Sequence, residues 1–224
     1  MEIIYYMIIE RYEQVGNEFG YKVYLPNNYN TQIKYPMILS LHGAGERGNG
    51  KNELDVIENI GLSKYASKGM MEIDAIIVAP QCPKNRVWNH LVFDLKTFID
   101  KMLNTYSVNE DMVSVTGMSM GGFGTWEMIL NFPSTFSAAA PICGGGMAWR
   151  TDLLKDEKVP IWAFHGDIDA TVNISNSIEM VNGVRRYYPV DFTVFNNVNH
   201  NSWDPAYLQT TVINWLISKN RKNR

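Results

Sequence analysis

Short apolar runs alternate with amphipathic stretches along most of this chain. The segments at 37–41 (MILSL), 75–79 (AIIVA), 112–116 (MVSVT), 136–142 (FSAAAPI), 161–165 (IWAFH) and 191–196 (DFTVFN) read as strands. Several are apolar throughout, as strands covered on both faces must be, which predicts a mostly parallel sheet. Between them, 93–106, 122–132, 174–187 and 207–218 place apolar residues three or four apart. That spacing predicts helices lying on the two faces of the sheet. Near the start, IIYYMII (3–9) and YKVYLP (21–26) follow one another with no helical pattern between them, so an antiparallel beginning is expected. No repeat, low-complexity tract or composition shift interrupts the pattern, and the reading is one α/β domain over 1–224.

Composition changes this picture mainly by exclusion. The 224 residues are 46% hydrophobic and 19% charged, with a formal net charge of −3. Such a chain has no basic field for a nucleic-acid backbone, and its one basic run, the terminal KNRKNR, reads as a solvated tail. No uncharged apolar run approaches the roughly 20 residues that a bilayer requires, so no membrane partner is expected. Glu2 and Glu10 bracket the opening apolar run and no Lys or Arg precedes it, unlike a secretory leader. Two cysteines, Cys82 and Cys143, are too few for a disulfide scaffold and fit a reducing compartment, so the cytoplasm is the expected location.

Candidate chemistry centres on GMSMGGFG, 117–124, set between a predicted strand and a predicted helix. Gly117-Met118-Ser119-Met120-Gly121 is G-x-S-x-G in the strand–turn–helix context that gives the motif meaning. The chain must reverse sharply there, flanking glycines remove Cβ clashes, and the serine hydroxyl is presented above the sheet edge. This predicts a nucleophile, against the plainer reading of a serine that caps the helix. The Met120 amide, at a helix start, is free to stabilise a developing negative charge.

A serine needs a base. His42 and His165 each stand between a strand and a glycine, where an imidazole more often braces the strand end, and His90 reads as a rim residue. His200, in the polar loop FNNVNHNSWDPAY, follows both the serine and an acid in chain order, as a hydrolase triad of this type requires. Asp167 and Asp169 are the two candidate acids. One should hold the imidazole in its working tautomer while the other is structural. After the first core strand, Gly43-Ala44-Gly45 is small enough for backbone amides to reach a substrate oxygen, and the Ala44 amide is the expected partner of Met120 in an oxyanion hole. The same loop lacks Walker spacing, and the chain has no His-Glu-x-x-His or paired Cys/His cluster, so neither nucleotide, metal nor other cofactor is expected.

In sum of spacing and order, LHGAGERG, APQCP with Trp88 soon after, GMSMGGFGTW, PICGGG, HGDID with Val172 following, and HNSWDPAY resemble the α/β-hydrolase superfamily. The likeness is to its carboxylesterase, feruloyl esterase and predicted-peptidase group, similar to dienelactone hydrolases and polyhydroxybutyrate depolymerases, and runs from about residue 20 to 217. It implies an α/β-hydrolase fold with a minimal lid or none, and a triad of Ser119, Asp169 and His200. Asn199 stands where that group often has glycine, a departure that asparagine's tolerance of left-handed backbone can absorb.

The implied activity is hydrolysis of small-molecule or saccharide carboxylic esters, with short acyl, acetyl or feruloyl groups, through an acyl-enzyme. Peptidase or thioesterase action with the same triad, and a non-catalytic binding protein on the same fold, are the alternatives. Trp88, Trp149 and Trp203 are candidate pocket walls for an aromatic or sugar-bearing substrate, Trp126 is assigned to the core, and a homodimer is compatible with the sequence.

Overall fold

The structure, a computed structural model, describes residues 7–11 and 19–224. Eight strands form one sheet: β1 (Met7–Arg11), β2 (Tyr21–Leu25), β3 (Tyr35–Leu41), β4 (Ile76–Pro80), β5 (Val108–Met118), β6 (Ala138–Ile142), β7 (Trp162–Gly166) and β8 (Asp191–Phe195), in the spatial order β1-β2-β4-β3-β5-β6-β7-β8. The pairs β1/β2 and β2/β4 are antiparallel and the other five are parallel, so the expected antiparallel start and parallel body are both present. Of the first strand expected at 3–9, residues 7–9 lie in β1 and 3–6 lie outside the described residues.

Alternation along each strand splits the core in two. Met37, Leu39 and Leu41 of β3 join one layer with α2 (Val92–Thr105), α3 (Met120–Asn131) and α4 (Ser175–Arg185). Ile38 points the other way, into a layer with α1 (Gly61–Ser67), α5 (Trp203–Gln209) and α6 (Val212–Ser218). Strands β4 and β6 are apolar throughout because both of their faces are covered. Trp126, on α3, is fully buried in the first layer.

Two expectations are corrected here. The single helix read at 207–218 is two, because Thr210 is extended and its hydroxyl bonds Ala206 O at 2.5 Å and accepts the Val212 amide at 3.1 Å, ending α5 and starting α6. The basic tail is held to the surface: Arg221 and Lys222 both pair with Asp111, and Arg224 pairs with Glu157. Between β6 and β7 the chain forms only a 3₁₀ helix, Ala148–Leu154, rather than a cap domain. Among the described residues, no helix is long and apolar enough to cross a membrane.

The parallel strands β3, β5 and β7, and β8 beside them, all end on one edge of the sheet. Their following loops therefore meet there, the usual place for a site in an open α/β sheet.

Candidate active site

Ser119 is the hinge between β5 and α3, with φ 54° and ψ −119°, a conformation side-chain-bearing residues avoid. The surroundings enforce it. The Ser119 amide donates to Ile142 O at 3.0 Å on the neighbouring strand, and α3 is pressed so closely onto β3 that a Cβ on Gly121 would lie 2.0 Å from Leu41 O. A Cβ on Gly117 would lie 2.5 Å from Gly121 O. These two glycines are thus required by close backbone approach.

His200 comes to the serine on the loop between β8 and α5. Its Nε2 lies 2.9 Å from Ser119 Oγ and its Nδ1 2.7 Å from Asp169 Oδ2. The structure brings together all three residues expected from the sequence. The Trp203 ring meets the imidazole edge-on, with centroids 5.5 Å apart, so this tryptophan packs on the base. The left-handed turn of the loop is taken by Asn197 (φ 59°) and not by Asn199, whose side chain instead accepts the Asn201 amide at 3.1 Å. The Asn-for-Gly departure at 199 therefore does not bear on the turn.

Asp169 and Asp167 separate cleanly. Asp169 is buried, and its Oδ1 accepts the amides of Thr171 and Val172, both at 2.9 Å. Burial pushes its pKa up, but the hydrogen bonds from His200 and from the Val172 and Thr171 amides outweigh this and hold the carboxyl below its ordinary range. Asp167 is exposed; its backbone amide donates to Phe195 O at 3.1 Å, and among the described residues its side chain has no hydrogen-bond partner. The expectation that its side chain would be the structural one is corrected.

The other histidines are scaffold. His42 is buried, accepts the Cys82 amide on Nε2 at 2.9 Å and donates from Nδ1 to Gly43 O at 2.6 Å. Burial lowers its pKa to about 4, with Gly43 O opposing and Arg47 assisting. His165, fully buried, donates from Nε2 to Val172 O at 2.9 Å, lies 3.3 Å from Asp169 Oδ2, and meets Ser177 Oγ at 2.7 Å. Burial lowers its pKa as well. His90 is exposed in the 3₁₀ turn Trp88–His90.

Ala44 and Met120 line one cavity of about 370 Å³, together with Arg47, Val87, Asn89 and Phe123. The Met120 amide is the first of α3 and has no partner within the helix by position. The loop that carries Ala44 is braced from behind: Gln81 bonds Glu46 O, Glu53 O and the Gly50 amide, which is what the APQCP segment does.

Trp88, expected as a pocket wall, is fully buried instead, its indole donating to His42 O at 3.0 Å. Trp149 is 75% exposed, but it borders a separate groove with Glu179, Asn182 and Arg186. The cavity beside Ala44 and Met120 is walled by Val87, Asn89, Phe123 and Arg47, none of which the sequence reading named as pocket residues. Arg47 and Phe123 lie within the quoted loop motifs, and only their side-chain direction was missing.

Cys143, with φ 40°, lies behind the site, its Sγ accepting the Ser119 amide at 3.3 Å. Burial pushes this thiol up to about 12, so it stays neutral. Among the described residues, Cys143, Asp169 and His200 have ligand-capable atoms within 4.8 Å of one another, two of them already committed to the Asp169–His200 bond.

A hydroxyl, an imidazole and a buried carboxylate in this sequence of bonds can move a proton off the serine as it attacks, with backbone amides beside it.

The family model for Esterase matches residues 13–190. The chain belongs to the Esterase family. Within reach of this esterase-family chain, feruloyl esterase D of Neurospora crassa is 26% identical over 170 residues, covering 71% of the chain and 56% of the relative. Poly(3-hydroxyalkanoate) depolymerase C of Paucimonas lemoignei is 28% identical over 129 residues, 44% of the chain and 31% of the relative. The chain thus spans less than two thirds of either. A thermostable esterase structure superposes with a TM-score of 0.79 at 31% identity, covering 97% of this chain and 64% of that one. The feruloyl esterase module from Clostridium thermocellum, at 18% identity and a TM-score of 0.72, covers 96% of this chain and 88% of its own and shares the fold.

Proposed function

We propose that this chain is a serine carboxylic-ester hydrolase. The observation that carries the reading is His200, bonded on one nitrogen to Ser119 Oγ and on the other to the buried Asp169. Ser119 Oγ attacks the ester carbonyl while His200 Nε2 takes its proton. Asp169 holds the Nδ1–H tautomer and stabilises the imidazolium. The amides of Ala44 and Met120 receive the oxyanion. Collapse expels the alcohol, protonated by His200, and leaves an acyl-serine that a water activated by His200 then hydrolyses.

The substrates are small esters of short acyl groups, with acetyl and feruloyl sugar esters as the first to try. Support comes from a cavity of about 370 Å³ with Phe123 and Val87 on its walls, and from the names borne by the relatives.

The test is covalent. A fluorophosphonate should add one mass increment to the wild type and none to Ser119→Ala, and the variant should lose turnover by about a million-fold. An adduct on both proteins would place the nucleophile elsewhere. Matched ester, amide and thioester substrates then separate the acyl-transfer chemistries.

A further inference from the structure

Arg47 lies three residues beyond Ala44, at the end of the 3₁₀ turn Ala44–Glu46, and borders the same cavity as Ala44 and Met120. Its Nε donates to Ala44 O at 2.8 Å, which fixes the guanidinium against the loop. Nothing else in the described residues uses the head group: it has no salt bridge, whereas Arg150 is bonded to Glu127 at 2.7 Å. The adjacent Glu46 carboxyl lies over Gly43 instead, its Oε2 3.2 Å from where a Cβ on that glycine would stand. A second arginine, Arg86, precedes the cavity-lining Val87, and among the described residues its guanidinium bonds His90 O, at 3.4 Å.

A guanidinium without a carboxylate partner, held by one nitrogen with the rest of its donor fork unused, is suited to a planar anion. Apart from Asn89, the rest of the lining is apolar, from Ala44, Val87, Met120 and Phe123. A chain with a net charge of −3 has no global field that draws anions, so discrimination must be local.

We propose that Arg47 binds a carboxylate on the substrate, so that the enzyme prefers esters bearing a free carboxylate close to the scissile bond over neutral isosteres. This rests on the ester-hydrolase reading and adds the substrate class to it. The Nε bond to Ala44 O holds the guanidinium beside the residue whose amide is assigned to the oxyanion, which suits an anion a few bonds from the carbonyl.

The experiment uses matched anion and amide pairs: para-acetoxybenzoate against para-acetoxybenzamide, with charge on the alcohol side, and monoethyl glutarate against its amide, with charge on the acyl side. The ratio of kcat/KM for anion over amide is compared in the wild type, Arg47→Gln, Arg47→Lys and Arg47→Glu, each checked for folding by its thermal midpoint. In at least one pair the ratio should fall about tenfold or more in Arg47→Gln, fall further in Arg47→Glu, and be partly kept in Arg47→Lys. Because the readout is a ratio, a general loss from the altered Ala44 loop cancels. Hydrolysis of the neutral esters with a ratio that none of the substitutions moves would overturn the proposal and leave the esterase reading standing. Failure to hydrolyse any ester would remove both.

Discussion

Two His-Gly turns close parallel strands of this sheet, His42-Gly43 just after β3 and His165-Gly166 as the last two residues of β7, and they do different work with the same dipeptide. At the first, the imidazole bonds only backbone, and what it steadies is a peptide group, the Ala44 amide beside the cavity that Arg47 and Phe123 line. At the second, the imidazole lies against a carboxylate and closes the turn that aims Asp169 at His200. The glycines differ too. A Cβ on Gly43 would press on the end of the Glu46 side chain, at 3.2 Å, and make ordinary contacts at 3.8 Å with Met118 O and Ser119 Cβ, whereas one on Gly166 would lie 2.2 Å from Val198 O in the loop that carries His200. A buried histidine beside a candidate site need not move protons; here its fixed hydrogen-bonding pattern is the contribution.

The largest expected effect falls on the second turn. Asp169→Asn should lower turnover by about four orders of magnitude, because the amide keeps the Thr171 and Val172 bonds through its oxygen but offers N–H toward His200 Nδ1, favouring the wrong tautomer. Steady-state kinetics beside a thermal melt checks this: a folded variant with near-normal turnover would separate Asp169 from the chemistry.

The first turn should report in stability against pH. His42 has a folded pKa of about 4 against an ordinary 6.5, so below pH 6.5 the unfolded chain takes up a proton that the folded one refuses. Its contribution, about 3 kcal/mol, is fully present above pH 6.5 and is lost as the pH falls to about 4. His165, shifted in the same direction, adds to the loss. Denaturant titrations at several pH values should show the decline, and His42→Gln, though less stable at pH 7, should flatten it. An unchanged slope in the variant would mean that His42 is not held neutral by the fold.

A smaller effect separates the glycines. Gly166→Ala should cost about 1–3 kcal/mol and reduce turnover, since backbone at 198–199 must shift and carry His200 with it. Gly43→Ala, with φ −76° and only a side-chain end to displace, should melt close to the wild type. Equal losses at both sites would erase the contrast.

What was legible in the sequence follows the same division between backbone and side chain. The parallel strands were legible because residues such as Ile76 and Ile77, which face opposite layers, must both be apolar in a strand covered on each side. Ser119 was legible because Gly117 and Gly121 record how closely α3 approaches β3. Trp88 and Trp203 were not distinguishable, since each is an aromatic near a motif and only tertiary packing buries one against His42 and sets the other on His200. The break at Thr210 was hidden because a threonine can continue a helix or cap the next one. Arg47 was in view and unread, because a sequence does not say whether a charged side chain in a loop meets an acid or a cavity.

The smallest effect is the most discriminating between the two aspartates, because it asks for almost nothing. Asp167 lies two residues before Asp169, on the same turn, and its sequence position suggested a carboxylate that accepts hydrogen bonds at a strand end. In the fold its side chain is exposed and makes no hydrogen bond to the described residues, while the amide that anchors the turn to Phe195 O survives any substitution except proline. Asp167→Asn should therefore change stability by less than about 0.5 kcal/mol and turnover by less than about twofold. Measured beside Asp169→Asn in one buffer, it controls for the loss of a negative charge near the site, which both share, and isolates the loss of the buried acceptor, which only one has. If Asp167→Asn is instead the folded and inactive protein, the assignment of the acid to Asp169 fails, and with it the reading of the second His-Gly turn as its support.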